Sequence, residues 1–594
     1  MIRRQLTAVT MAVLFIGATA CGTPAEVAPS ATPTTGIIIE QKPEDTTGQT
    51  AEEKNTGKNT EDNTEGNAET STESITTVET LVTADGEVKV SELQTLAVQA
   101  SMEQATKITL NGNQVQIEGS GCNEENGTVS ITQAGTYVVS GKLEKGSIVV
   151  DADKESLVYL ILNGVDITNP NGPAMYGKKA EKLIVMLAEG TTNVLTDGKE
   201  YVFENETEEP DATLFAKQDL LINGSGELVV QANYGDAIKG KDAVYLFDGK
   251  YQITAEDEAI TGKDLLYIHN GTYVIEAKGD GLKASEDDTD TELGNLIIVG
   301  GNFTISSEDD GIHAENGLVI TGGDIAILKS KEGLEGATID IYGGNLNITS
   351  SDDGINAAGG NASSQPMFGF RFPMGGMQDS NCEMNFYGGN ILVNADGDAL
   401  DANGTIFMSG GTVVVYGPER GENGAFDYDK GFAINGGTLF VTGSAGMAQS
   451  PDASSTQNTI SAVFPAVQSA GSELVVTAAD GTELCKMTVP KKFQQFIYSS
   501  ADIKNGETYT LSVNGEALLE GTIDNVITYF GTVGAGNFGG GFGGFDDGRN
   551  HGGFGRGERP AGEVPEGFQG GRPEGEFPDG RPEKELPGIS DIEV

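Results

Sequence analysis

Seven acidic residues recur at one place in a repeated pattern. Glu258, Asp280, Asp310, Glu332, Asp353 and Asp398 each stand nine residues after a glycine (Gly249, Gly271, Gly301, Gly323, Gly344 and Gly389), and Asp236 stands ten after Gly226. Each acid is followed by Gly or Ala and then by Ile or Leu, as in GDAI, DDGI and KEGL. If the apolar residue points into a core, the acids form a row along one edge, with neighbours about 5 Å apart. Carboxylates at that spacing repel by about 1 kcal/mol or more even in a water-like dielectric. Asp309, Asp352 and Asp396 add second carboxylates in three of the repeats. An all-oxygen set suits Ca2+, which accepts roughly six to eight oxygen ligands in irregular geometry. The expected metal residues are therefore Asp236, Glu258, Asp280, Asp309, Asp310, Glu332, Asp352, Asp353, Asp396 and Asp398. The competing reading is that Asp-Gly is turn chemistry and monovalent counterions suffice. His269, His313 and His551 show no zinc spacing, and His313 reads as a solvent-edge residue.

Short strands must position these acids. The segments FDGKYQI, HNGTYVI, VGGNFTI, TGGDIAI, YGGNLNI, YGGNILV, SGGTVVV and NGGTLFV repeat with a basal period near 22 residues. Alternating apolar residues flank each glycine, and no repeat has room for a helix. One such coil cannot bury its apolar face alone, but a stack can. The expected fold is all-β, a right-handed parallel β-helix over residues 101–444, closed by a small β cap over 445–530. Asn302, Asp324, Asn345, Asn390, Thr412 and Thr438 follow the turn glycines and read as a structural polar ladder. Tyr342 and Tyr387 share a position on adjacent coils and form the one pair suited to stacking on a sugar, with packing as their competing role.

The ends differ in character. Residues 1–20 read as a signal peptide: Arg3 and Arg4, an apolar run, then small residues before Cys21. A cysteine in that place suggests lipidation, hence a lipoprotein anchored at the outer side of the bacterial cell membrane. Residues 21–100 read as a disordered linker and 531–594 as a disordered Gly/Pro/acidic tail. Cys122, Cys382 and Cys485 are too few and too far apart for a disulfide framework. The net charge of -53 makes nucleic acid or an anionic lipid surface an implausible partner, so membrane contact is expected only through the lipid.

From Thr106 to about Val526 the chain resembles a bacterial carbohydrate-binding domain family. The resemblance rests on ITLNGNQVQIEGSGC, ITQAGTYVVSGKL, the long stretch from Leu157 to Gly198, and the DDGI coils. It implies a right-handed parallel β-helix with calcium sites that binds plant-type polysaccharide, cellulose or polygalacturonate, without cleaving it. The closing segment also resembles the family's end and reads as hairpins around Asp480-Gly481, Asn505-Gly506 and Asn514-Gly515. Two departures stand out: the insertion 361–381, which is apolar for a loop, and the absence of Trp. A calcium-dependent pectate lyase is the rival from another class, with Lys239 or Lys283 as base. The polygalacturonase elements Gly-His-Gly and Arg-Ile-Lys do not occur. A calcium-stiffened surface spacer or adhesin is the third reading.

Overall fold

A period-two pattern sends one side chain inward and the next outward, and repeated strands can then stack only with like positions in register. The computed structural model describes residues 38–39, 78–84, 86–203, 210–286, 293–358 and 382–531, and these are almost entirely strand. The expected signal peptide, Cys21, most of the linker, the insertion 361–381 and the tail beyond Gly531 lie outside the described residues.

Successive repeats add one strand to each of three parallel ladders. The first runs from Ala212–Ala216 through Asp236–Gly240, Ile260–Gly262 and Leu282–Ala284 to Phe426–Tyr428. A second runs from Leu157–Asn169 through Lys182–Leu187 and Asp219–Asn223 to Gly431–Ile434. The third passes through Glu227–Gln231, Lys250–Ala255 and Thr272–Ala277 to Thr438–Gly443.

Inward residues stack in files between the ladders. Ile238, Ile260, Leu282, Ile312, Leu334, Ile355 and Leu400 pair in succession, and each is fully buried. These are the apolar residues two places after each recurring acid. Burying an Ile or Leu contributes roughly 1.5–3 kcal/mol, and a slip of one residue would turn the whole file outward. In the third ladder the rings of Tyr251, Tyr273 and Phe303 stack at 4.7 and 4.6 Å. The turn glycines before it have φ from 77° to 135°, a region closed to most side chains. Beside them Asn345 Nδ2 donates to Asp324 Oδ1 at 2.7 Å and Asn390 Nδ2 to Asn345 Oδ1 at 2.9 Å, which is the polar ladder the pattern predicts.

The second ladder also faces outward with apolar residues. Tyr159, Ile184, Leu221, Tyr245, Tyr267, Ile297 and Val319 form one outward row. A hairpin of Val78–Thr83 and Gly86–Lys89 and a helix, α1 (Val90–Ala97), cover it, with Val78, Leu81, Val90, Leu93 and Ala97 buried against that row. The linker read from composition as reaching residue 100 therefore gives way at residue 78 to packed structure. Its few apolar residues fall on one face, and a row of aromatic and aliphatic side chains is there to receive them.

At the far end Phe493–Ser499 pairs antiparallel with Thr438–Gly443, which ends parallel growth. Asp480-Gly481 and Asn514-Gly515 turn hairpins between paired strands, with Asn514 at φ 51°. Asn505-Gly506 does not. It joins Phe493–Ser499 to Thr508–Val513, which lie in different sheets, because Tyr509 and Leu511 bury themselves in the cap core instead.

Candidate functional site

The recurring acids lie along the first ladder, and the backbone explains why each is followed by a small residue. Gly281, Gly311, Gly333 and Gly354 are absent from the positive-φ set among the described residues. What they lack is room: a Cβ on Gly333 would fall 2.2 Å from Ile348 Cγ2 and 2.3 Å from the Gly354 carbonyl oxygen. Turn chemistry therefore does not account for Asp-Gly here. Four of the seven carboxylates instead reach the backbone of the next repeat, while Asp236, Glu258 and Glu332 accept from the side chains of Thr261, Lys283 and Asn356. Asp280 Oδ1 accepts from the N–H of Asp310 at 3.0 Å, Asp310 Oδ1 from Glu332 at 3.2 Å, Asp353 Oδ1 from Asp398 at 2.7 Å and Asp398 Oδ1 from Gly424 at 2.5 Å.

Three residues after each acid runs a second row, Lys239, Thr261, Lys283, His313, Glu335, Asn356 and Asp401, which Asp427 continues on the next strand. It changes sign along its length. Lys239 Nζ lies 2.8 Å from Asp211 and 3.2 Å from Asp236, and Lys283 Nζ lies 2.8 Å from both Glu258 and Asp280. Burial opposes charge on these ammonium groups, but their carboxylate partners more than offset it and hold both above the ordinary lysine range. His313 Nδ1 lies 3.3 Å from Asp280 and 3.7 Å from both Asp310 and Glu335. Burial pulls its pKa down, yet the surrounding carboxylates raise it overall, which favours its charged form. Asp280, which burial alone would raise, is held at about 2 by His313 and Lys283.

Beyond His313 this second row carries no cation among the described residues, though Lys331 Nζ, off the row, lies 3.5 Å from Glu332 Oε1. Asp310, Glu332 and Glu335 bring carboxylate oxygens within 4.8 Å of one another. Burial, reinforced by neighbouring acids, raises Asp310 to about 9, Asp353 to about 8, Asp401 and Glu335 to about 7 and Asp398 to about 6. Asn356, 8 % exposed, donates to Glu332 Oε2 at 2.8 Å, while its own Oδ1 has no donor. An orphaned buried carbonyl oxygen beside a cluster of carboxylates that outnumber the nearby cation, Lys331, is a donor set that fits Ca2+. Asp236, Asp257 and Glu258 also converge within 4.8 Å, as do Asp280, Asp310 and His313, but Lys239 and Lys283 already supply positive charge there.

The structure therefore gathers Asp236, Glu258, Asp280, Asp310, Glu332, Asp353 and Asp398 on one ladder and divides them into two halves. It does not gather Asp309, Asp352 and Asp396, which are exposed; Asp309 faces Lys331 at 3.6 Å and Asp396 faces Lys491 at 3.0 Å. Tyr342 and Tyr387 stack at 4.6 Å with planes 13° apart, but they follow the second ladder, away from the acids. His313 is no solvent-edge residue, since its side chain is 16 % exposed among four carboxylates. Asp257, Glu335, Asn356 and Asp401 went unread. The signal that finds the last three is the register: two residues separate positions on one face of a strand, and each lies one residue past the inward apolar residue.

Comparison with known proteins bears on this ladder. Residues 125–365 match the model of a family described as carbohydrate-binding domain-containing protein. A protein of the same description from Acetivibrio thermocellus is 38 % identical over 128 residues, 21 % of this chain. That segment is carbohydrate-binding-domain-like. The match spans under half of the relative, 45 % of its length. A solved structure described as the polysaccharide lyase-like protein from C. thermocellum, a gadolinium derivative, is 30 % identical. It aligns over 40 % of this chain and 93 % of its own, with a TM-score of 0.37.

Proposed function

We propose that this chain binds polysaccharide at the cell surface without cleaving it, with Ca2+ held by the acidic half of the first ladder. The three ladders close into a right-handed parallel β-helix whose first face is the binding face. The observation that carries this reading is the change of sign after His313, which leaves Glu332, Glu335, Asp353, Asp398 and Asp401 on the ladder beside an orphaned Asn356 oxygen; of these, Glu332 has a lysine, Lys331, 3.5 Å away. Those carboxylates and Asn356 hold the ion, and the ion supplies open positions for oxygen ligands from a glycan. Uronate carboxylates of a pectic chain suit that role, because a body with net charge -53 repels them otherwise. A cellulosic chain binds by hydrogen bonds and apolar contact instead. Export through residues 1–20 and a lipid on Cys21 place the domain outside the cell.

Absence of cleavage is supported by the lysines. A lyase needs a base that sheds its proton near neutral pH, and Lys239 and Lys283 are each clasped by two carboxylates that keep them charged. Affinity electrophoresis of the full chain in gels with and without polygalacturonate or hydroxyethyl cellulose, in calcium and in chelator, tests the reading. Retardation by at least one glycan is expected, with the pectic signal lost in chelator. Sustained release of unsaturated uronate that vanishes in Lys283→Ala would make the protein a lyase.

A further inference from the structure

Three large apolar side chains stand open to solvent at one place: Val202 is 73 % exposed, Phe203 38 % and Tyr234 41 %. Tyr234 lies two residues before Asp236, at the cationic end of the acid ladder. Its ring stacks on that of Tyr201 at 4.1 Å with planes 15° apart, and Phe203 leans on Tyr201 at 6.1 Å.

The group is built rather than draped. Tyr201 Oη donates to Asp197 Oδ2 at 2.7 Å, and Asp197, 3 % exposed, also accepts the backbone N–H of Asn233 at 2.5 Å. Asn233 Nδ2 donates a second bond to the Asp197 carbonyl at 3.0 Å, and the Val202 N–H donates to the Asn171 carbonyl at 2.8 Å. Gly198 lets the segment enter in contact with the chain beneath it, since a Cβ there would fall 1.8 Å from the Pro170 carbonyl oxygen. Exposing aromatic faces forgoes burial, and fixing them forgoes side-chain entropy. The core gains little from an arrangement that does both.

We propose that Tyr234, Tyr201 and Phe203 form a platform on which a pyranose ring of a glycan chain stacks. This rests on the polysaccharide-binding reading and gives it a first contact. The C–H bonds of a pyranose carry slight positive charge and meet the negative face of an aromatic ring, as an aromatic edge does. Asp211, whose side chain is 48 % exposed and pairs with Lys239 through Oδ2 at 2.8 Å, stands beside the platform as an acceptor for ring hydroxyls. Rigid aromatic surface with a few polar groups at its rim is the usual composition of a small-ligand subsite. A nucleobase would also stack, but the phosphates attached to it meet a chain of net charge -53. From Asp236 to Glu332 is four rungs, about 19 Å, so one glycan chain can lie on the platform and reach the acidic half.

Isothermal titration of the full chain with cellohexaose and with hexagalacturonate, in calcium, tests the platform. For whichever oligosaccharide the wild type binds, Tyr234→Ala lowers affinity about tenfold and Phe203→Ala lowers it less. Leu328→Ala, at a side chain 54 % exposed elsewhere, leaves it unchanged. The two oligosaccharides distinguish a neutral ring from a uronate. If Tyr234→Ala melts early, Tyr234→Trp carries the test, because it places a single tryptophan in a chain that has none. Its emission is expected to change on adding the oligosaccharide. Undiminished binding by Tyr234→Ala, or a silent tryptophan beside measurable binding, overturns the platform alone. No binding of either oligosaccharide by the wild type overturns the platform and the proposed function together.

Discussion

Lys283 donates to Asp280 at 2.8 Å from within its own strand, and the same ammonium reaches Glu258 one repeat below at 2.8 Å. Two carboxylates that a sequence reading hands to a metal are thus satisfied by the protein itself. The cation is covalently part of the ladder.

Removing it takes the ammonium from a buried carboxylate and leaves His313, 3.3 Å away, beside it. Asp280 is 2 % exposed, and breaking one partner from a buried pair costs about 3–5 kcal/mol. Lys283→Met is therefore expected to lower unfolding free energy by about 3 kcal/mol in urea titration at pH 7. An unchanged midpoint would show that Asp280 does not depend on it.

Calcium is expected to act on one half of the ladder. Binding only to the folded state stabilises by about 3 kcal/mol at roughly a hundred times Kd, so the melting temperature rises with calcium. Glu332→Gln combined with Asp353→Asn removes most of that rise, while Asp236→Asn leaves it. Equal responses in the two variants would contradict the division drawn here.

Asp340 gives a pH dependence separate from that ladder. It is 2 % exposed, accepts from Asn385 Nδ2 at 2.9 Å, and burial pushes it up to about 6. A raised folded pKa favours the fold below the unfolded value near 3.9. That contribution is lost as pH rises through 6, a loss of roughly 3 kcal/mol by pH 8. Asp340→Asn keeps the acceptor without the charge, so it is expected to raise the melting temperature at pH 8 and change little at pH 4.

The segment over the second ladder is a cover. A chain starting at residue 101 exposes Tyr245, Tyr267 and Leu221, which Leu81 and Leu93 now bury. It is expected to melt earlier and to bind a hydrophobic dye, and Leu93→Ala in the full chain should cost about 2–5 kcal/mol. Equal melting with and without residues 1–100 would rule out a stabilising role.

Much of the architecture was readable because it is periodic. The apolar residue after each DG or DA fixes which side chain points inward, and the turn glycines fix where each strand starts. What escaped was set by neighbours across repeats. His313 looks like an isolated histidine in sequence, yet its partners Asp280 and Glu335 lie more than twenty residues away on either side. Asn356 carries no chemical signature until its oxygen is seen without a donor. The hairpin and α1 were hidden by the polar composition around them, since the apolar residues that anchor them are few. Asn505-Gly506 shows the reverse failure: a strong local turn signal, but strand partners chosen by burial in the cap.

Register between repeats is kept by nearest neighbours alone, and the step from Asn302 to Asp324 is 22 residues. Such a chain can be edited like text with a fixed line length. Excising residues 302–323 joins Gly301 directly to Asp324, which inherits the pairing of Asn302 with Thr272. The cut deletes Asp310 and His313, seats Glu332 above Asp280 and puts Glu335 directly against Lys283. Duplication of the same unit would lengthen the ladder by one rung. Gain or loss of a whole repeat can therefore move the point along the ladder at which its own cations give way to carboxylates, while the remaining strands keep their pairing.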